Sequence, residues 1–306
     1  MRDDVAALYQ RYRPQSQSGR RGKIVFHGVA GLDAYNPTAP FLDEGRWCIA
    51  ARVEARDSED AQVRFFAWDG GNHATLLDEM PTFRLQDSFV SRIGGELLLG
   101  GVEVVPAKEG KGMRWRTRFF VGPSVRALRP LTVGPWGMKD IRLVELPDGR
   151  ILVFTRPQGD PGGRGTIGWM ILSTLSELGT QTIARATLIP HVDTFCWCGV
   201  NEAHLLPSGH IGALAHVARF DEQGNRHYYA ACFTFDYQRG VSSAMNIVAC
   251  RDDFLPGECK RDDLQDVVFP AGLLETQEQG QGRRLFCGTS DCEVQWRDIP
   301  SPFAGG

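Results

Sequence analysis

The sequence predicts an all-β fold, a five-bladed β-propeller, and three observations carry that expectation. Apolar runs such as "RILVF" and "WCIAA" are too short for helices and are bounded by turn residues. One hairpin pattern recurs along the chain: a polar residue, an apolar run, a turn ending in Gly, a second apolar run, a second polar residue. Its copies begin at Asn36, Asp87, Asp140, Glu202 and Asp266, at intervals of 51, 53, 62 and 64 residues. A period near 50 with strand-type units is that of propeller blades.

The copies follow in order. "YNPTAPFLDEGRWCIAARVE" is the first, with Asp33 three residues before its leading Asn36. "QDSFVSRIGGELLLGGVEV" is the second, "MKDIRLVELPDGRILVFTRP" the third and "NEAHLLPSGHIGALAHV" the fourth. "QDVVFPAGLLETQEQGQGRRLFCGTSD" is a looser fifth copy with a longer loop. Residues 1–22 read as an N-terminal extension and residues 23–306 as a single propeller domain.

Antiparallel partners sit symmetrically about their turn. Asn36 is then expected opposite Arg52, Asp87 opposite Glu103, Asp140 opposite Arg156, Glu202 opposite His216, and Asp266 opposite Asp291. Propeller inner strands open on one face, so one funnel mouth is expected to gather these ten residues with Asp33 and Glu54. So many charges in one funnel are costly unless a polar ligand uses them. For any single position a plain structural tie is an equal alternative.

Composition narrows the function classes. Hydrophobic residues make up 42% of 306 residues, enough for a sizeable core, and the formal net charge is −3. That balance offers no general attraction to nucleic acid or to an anionic membrane. No apolar run approaches the roughly 18–20 residues needed to span a bilayer. The first residues carry acids and no signal-peptide core, so a cytoplasmic protein is expected. Eight cysteines without a C-x-x-C pair fit buried small apolar residues. The cluster "HVDTFCWCGV" lacks the ligand spacing of a zinc site, so neither a metal nor a cofactor is expected.

The order of motifs resembles the five-bladed propellers of glycoside hydrolase family 130, the mannoside phosphorylases and related mannosidases. "YNPTAPF" and "ARVEARDSE" are similar to its Asn-Pro and Arg-Glu elements, and "GMKDIRLVELPDG" to the blade opened by its catalytic Asp. "GVNEAHLLPSGHIGALAHVA", "DVVFPAGLL" and "LFCGTSD" echo its later blades. The chain resembles still more closely a family of such propellers described only as a domain of unknown function.

The wider resemblance implies that Asp140 is the general acid, acting through a substrate hydroxyl, and that Arg156, Arg164 and His216 bind phosphate. Ile141 stands where that family has Pro. The resemblance further implies a carbohydrate substrate, with inorganic phosphate as a possible co-substrate. An inverting hydrolase uses two carboxyl groups with water between them, whereas a phosphorylase needs a basic cradle for its oxyanion. Asp33, Glu54 or Glu202 could serve as the base of the first; Arg52 could complete the cradle of the second. Asn36, Arg52, Glu54, Asp87, Glu103, Asp266 and Asp291 are the remaining expected substrate contacts. The alternatives are a non-catalytic carbohydrate-binding propeller and a protein-interaction propeller. Trp136, Trp169 and Trp197 could stack on sugar rings or serve the core. "GRGTIG" matches a dinucleotide fingerprint but has no βαβ unit around it, and "GTSDC" lacks a nucleophile elbow.

Overall fold

Short apolar runs punctuated by glycine turns give antiparallel meanders, and five follow one another. The computed structural model describes residues 3–12, 19–107, 112–276 and 282–303. A helix, α1 (Val5–Arg11), precedes β1 (Arg21–Lys23) and β2 (Val25–His27). The first meander runs through β3 (Asp33–Tyr35), β4 (Phe41–Asp43), β5 (Arg46–Glu54), β6 (Gln62–Trp68) and β7 (His73–Leu76), with β2 parallel to β7. The second is β8 (Gln86–Ile93), β9 (Glu96–Pro106), β10 (Met113–Gly122) and β11 (Arg129–Val133). The third is β12 (Arg142–Glu145), β13 (Ile151–Thr155), β14 (Ile167–Leu172) and β15 (Thr187–Ile189).

The fourth comprises β16 (Trp197–Leu205), β17 (Ile211–Phe220) and β18 (Arg226–Asp236), with β19 (Val241–Ser242) and β20 (Asn246–Ala249) both on β18. The fifth is β21 (Asp266–Glu275), β22 (Gly282–Thr289) and β23 (Glu293–Pro300). Among the described residues these strands form sheets of four, four, six and nine strands. The nine-stranded sheet is the fourth and fifth meanders joined by a two-residue parallel pairing, His227 with Asp266 and Tyr228 with Val267. The fold is mostly β, as expected. The long loop expected in the fifth copy lies, at 277–281, outside the described residues.

The fifth meander takes its outermost strand from the other end of the chain: β1 pairs with β23, Gly22 facing Trp296. The expected boundary at residue 22 therefore falls inside β1. Further upstream, Val5 and Leu8 of α1 are buried in the cluster that also holds Phe154, Tyr229 and Phe233. Tyr9 stacks on Tyr229 at 4.6 Å. Residues 5–11 thus contribute core, and Leu8→Ala is expected to cost about 2–5 kcal/mol in a denaturant melt. An unchanged midpoint would show that the helix is an appendage.

The hairpin arithmetic holds in two copies and slips in three. Arg142 pairs with Phe154 and Val268 with Thr289, which puts Asp140 opposite Arg156 and Asp266 opposite Asp291 as expected. In the first copy Tyr35, not Asn36, faces Arg52. In the second and fourth the turns are centred earlier than expected, with Ile93 facing Glu96 and Leu205 facing Ile211. Bulges between Gln86 and Phe89 and between Val200 and Glu202 add a further residue, so His216 faces Gly199. A bulge re-aims side chains, and in the fourth copy it decides which one is buried.

Candidate active site

Three of the strand-opening residues share an unusual backbone. Asn36, Asp87 and Asp140 have φ of 42°, 47° and 56°, the left-handed region that Asn and Asp tolerate best. Asp291, in the β22–β23 turn, has φ of 52°. Such strain persists where surrounding contacts over-determine it, and it concentrates at functional sites. Those contacts converge on one buried charged cluster.

Asp140 and Arg156 form its first half. Arg156 Nη1 donates to Asp140 Oδ2 at 3.0 Å, with both side chains almost wholly buried. Arg156 Nε donates to the carbonyl of Cys198 at 3.2 Å, which fixes the guanidinium across the third and fourth meanders. Gly199 leaves the room: a Cβ there would lie 2.8 Å from both Arg156 Cδ and His216 Cε1. Burial alone would push the Asp140 carboxyl up, but the charges of Lys139, Arg156 and Arg142 outweigh it. It is held well below the usual carboxylate range and is ionised at rest.

His216 Nδ1 lies 2.8 Å from Asn201 Oδ1. Burial, partly offset by Asp140, pushes the imidazole down to about 3, so it is neutral at pH 7. With Nδ1–H donating to Asn201, Nε2 carries a lone pair. Among the described residues Asp140 Oδ1 and Asn201 Nδ2 are buried without a hydrogen-bond partner, an acceptor and a donor available to a ligand.

The second half joins the first, second and fifth meanders. Asn36 Nδ2 donates to Asp87 Oδ1 at 3.0 Å, and Arg52 Nη1 reaches the same oxygen at 3.4 Å. Gly288 seats Asn36, since a Cβ there would lie 1.9 Å from Asn36 Oδ1. Arg52 also donates to Glu54 at 3.0 Å and to Glu59 at 2.8 Å. Glu54 accepts in addition from Tyr35 Oη and Lys260 Nζ. Burial opposes ionisation of Asp87, but Arg52, Lys139 and Asn36 hold its carboxyl below the ordinary value. Asp291 goes the other way: burial first, then the charge of Asp87, raises it. Asp291 itself is partly exposed. Lys139 acts on Asp87, Asp140 and Asp291 alike and links the two halves.

Of the residues expected in one funnel mouth, Asn36, Arg52, Glu54, Asp87, Asp140, Arg156, His216 and Asp291 come together. Five others do not. Asp33 is held by Arg56, which reaches it through two nitrogens, one at 2.9 Å. Glu103 accepts from Arg116 at 2.6 Å and Arg118 at 2.9 Å on the neighbouring strand. Asp266 accepts from Tyr229 Oη at 3.0 Å and lies 2.6 Å from His227 Nδ1, at the seam between the fourth and fifth meanders. Arg164 is exposed, its guanidinium 5.1 Å above the Phe220 ring. Glu202 is displaced by the bulge: the buried position falls to Asn201, and Glu202 accepts from Leu273 N at 2.8 Å as a tie to β21. Glu202→Gln keeps an acceptor there. It is expected to cost about 1 kcal/mol of stability and to leave turnover near normal; a collapse of kcat with an intact fold would return Glu202 to the site.

The tryptophans are engaged elsewhere. Trp136 lies beneath the guanidinium groups of Arg114 and Arg116, and Trp169 packs edge-on to Phe235. Trp197 Nε1 donates to Tyr228 Oη at 3.0 Å. In "HVDTFCWCGV", Cys196 and Cys198 are buried and burial pushes the Cys198 thiol up to about 12. Among the described residues no group of three or more His, Cys, Asp or Glu could hold a metal ion. Sequence reasoning missed Lys139, Asn201, Lys260 and Tyr35. Lys139 sits beside Asp140 in "MKDIR" and was the one within reach; Lys260 comes from the irregular stretch before β21, where no repeat marks it.

Fold and site together define a sheet-built protein with a buried, cation-rich carboxylate cluster. The chain belongs to the family described as Protein of unknown function (DUF1861), whose model matches residues 11–305. Two solved structures are similar over nearly the whole chain. A mannose phosphorylase from Leishmania mexicana, in complex with phosphate ion, is 32% identical with a TM-score of 0.88, covering 98% of this chain and 92% of that one. A GDP-Man-dependent mannosyltransferase from Leishmania mexicana is 28% identical with a TM-score of 0.87, covering 99% and 94%. A beta-1,2-mannobiose phosphorylase from Listeria innocua shares the fold at 14% identity and a TM-score of 0.63, covering 89% and 91%. No curated protein sequence matches. Among the described residues no helix is long and apolar enough to cross a membrane.

Proposed function

We propose that this protein is a glycoside phosphorylase acting on a mannoside, its five meanders forming the blades of a five-bladed β-propeller around the charged cluster. The observation that carries the reading is the buried Asp140–Arg156 pair beside His216, with Asp140 Oδ1 left for a ligand. A hydrolase needs a second carboxylate free to activate water. Here Glu54 and Asp87 are occupied by Tyr35, Lys260, Arg52 and Asn36, and Asp33 and Glu202 are tied elsewhere, which leaves Asp291 as the one carboxyl of the cluster for that role. Cations, by contrast, are in supply, and an oxyanion nucleophile needs them. The sugar comes from likeness alone, to the mannose phosphorylase solved with phosphate.

Phosphorolysis breaks the glycosidic C–O bond, forms a C–O–P bond and delivers a proton to the leaving oxygen. Asp140 is ionised at rest, so it must gain that proton with substrates bound. Phosphate beside Arg156 supplies the reason: its negative charge, and its competition for the guanidinium, both raise the Asp140 carboxyl. A P–OH group can donate to the lone pair of His216 Nε2. Asp140 takes its proton from solvent as phosphate binds and passes it through a sugar hydroxyl to the leaving oxygen, as the wider resemblance implies. The P–OH proton is lost from the sugar 1-phosphate to solvent, which closes the balance.

The test is a panel of mannosides and manno-oligosaccharides incubated with and without phosphate, and beside GDP-mannose. Mannose 1-phosphate is expected in the phosphate arm. Free mannose in both arms would point to hydrolysis, and GDP release to glycosyl transfer.

A further inference from the structure

We infer that the cavity beneath the β9–β10 hairpin receives the leaving group of the glycoside and selects one with an apolar face larger than a methyl group. The inference rests on the phosphorolytic reading above. β9 runs on past Val102, the last residue paired with β8, and β10 starts before Arg118, the first paired with β11. Between these points the two strands pair only with each other as strands. The ribbon is nonetheless anchored to the segment that delivers the acid: Gly137 N donates to Trp115 O at 2.8 Å, and Arg116 bridges Met138.

The pleat sorts the ribbon's side chains. Glu103, Arg114, Arg116 and Arg118 share one face, where Glu103 takes two arginines and Trp136 stacks beneath two. Val102, Val104, Pro106, Met113 and Trp115 share the other, which is not buried against a neighbouring sheet. It lines a cavity of about 630 Å³ whose remaining wall is polar: Glu59, Asp60, Arg84, Gln86, Lys139 and Gln158. Lys139 adjoins Asp140 and Gln158 lies two residues past Arg156, so two residues of the cavity wall are chain neighbours of the reacting pair, which does not itself line it. Its size falls within the range of about 300–1,000 Å³ usual for ligand pockets.

The polar atoms on this wall fit the same occupant. Glu59, Asp60 and Arg84 bring charged groups to the same cavity. Met113 is more than half exposed. A cavity with one apolar side and one polar side suits an amphipathic leaving group, its ring or chain against Trp115 and Met113 and its hydroxyls towards the polar side. Phosphate has no use for the apolar side, which leaves it to the departing half of the substrate.

The experiment compares phosphorolysis of methyl, benzyl and octyl mannosides, whose leaving groups differ in apolar area. Wild-type protein is expected to prefer benzyl or octyl over methyl mannoside by about tenfold or more in kcat/KM. Trp115→Ala, and the milder Met113→Ala, are expected to bring that ratio towards one. A wild-type ratio near one, or a ratio unmoved by both variants, would overturn the inference. If no mannoside turns over, calorimetric titration with benzyl mannoside separates the two claims. Binding that Trp115→Ala weakens about tenfold supports the cavity while the phosphorolytic reading fails; no binding, or binding indifferent to both variants, overturns the cavity as well.

Discussion

Asp140→Asn is expected to lower turnover by about 10²–10⁴-fold while the protein still folds. The amide keeps the shape and the left-handed backbone, but it neither carries nor passes a proton. It also leaves Arg156 buried without its counter-charge, so a lowered melting temperature should accompany the loss. Asp87→Asn is the control. Asp87 accepts from Asn36 and Arg52, and its role is to hold that clamp, so a smaller loss is expected. Near-normal turnover in Asp140→Asn beside a dead Asp87→Asn would show that the acid is misassigned.

Arg156→Met should have the second-largest effect, and on two observables at once. Removing one partner of a buried ion pair costs about 3–5 kcal/mol, because the other charge remains. Losing a charge-assisted contact to phosphate adds about 1.5–3 kcal/mol in binding, read as a raised KM for phosphate. The pH dependence has a definite sign. In the wild type the Asp140 carboxyl is depressed, so its contribution to stability is present above the unfolded Asp value and is lost as pH falls through the folded one. That window lies below the ordinary carboxylate range. Without Arg156 the carboxyl moves up towards its unfolded value, so the loss of stability on acidification should be smaller than in the wild type and confined to a narrower window. Superimposable stability–pH curves would argue against the pair.

Much of the fold was legible because strand alternation and glycine turns are local. The five hairpins lie where the repeat placed them, and Asp140–Arg156 and Asp266–Asp291 face each other by simple symmetry about the turn. What symmetry could not give is the bulges. One extra residue at Val200–Glu202 moves the buried position from Glu202 to Asn201, and nothing in "GVNEAH" announces it. Nor could it give direction: Asp266 faces Asp291 in register yet its carboxyl turns to His227 and Tyr229, while Asp291 joins Asp87. Lys139 and Lys260 were invisible for a different reason. They enter the cluster from outside the repeated strands, one just before a strand and one from an irregular connection.

The closure of the fifth meander was likewise out of reach. β1 is three residues long, and its partner β23 lies more than 270 residues away along the chain. No local pattern records that pairing.

The central claim is that phosphate, not water, is the nucleophile at the Asp140–Arg156 pair. Turnover of the best mannoside measured against inorganic phosphate concentration tests it most directly. The account predicts a saturable dependence that passes through zero at zero phosphate, with one sugar 1-phosphate formed per bond broken. A rate that is finite without phosphate and unchanged by adding it, with free sugar as the product, would contradict it.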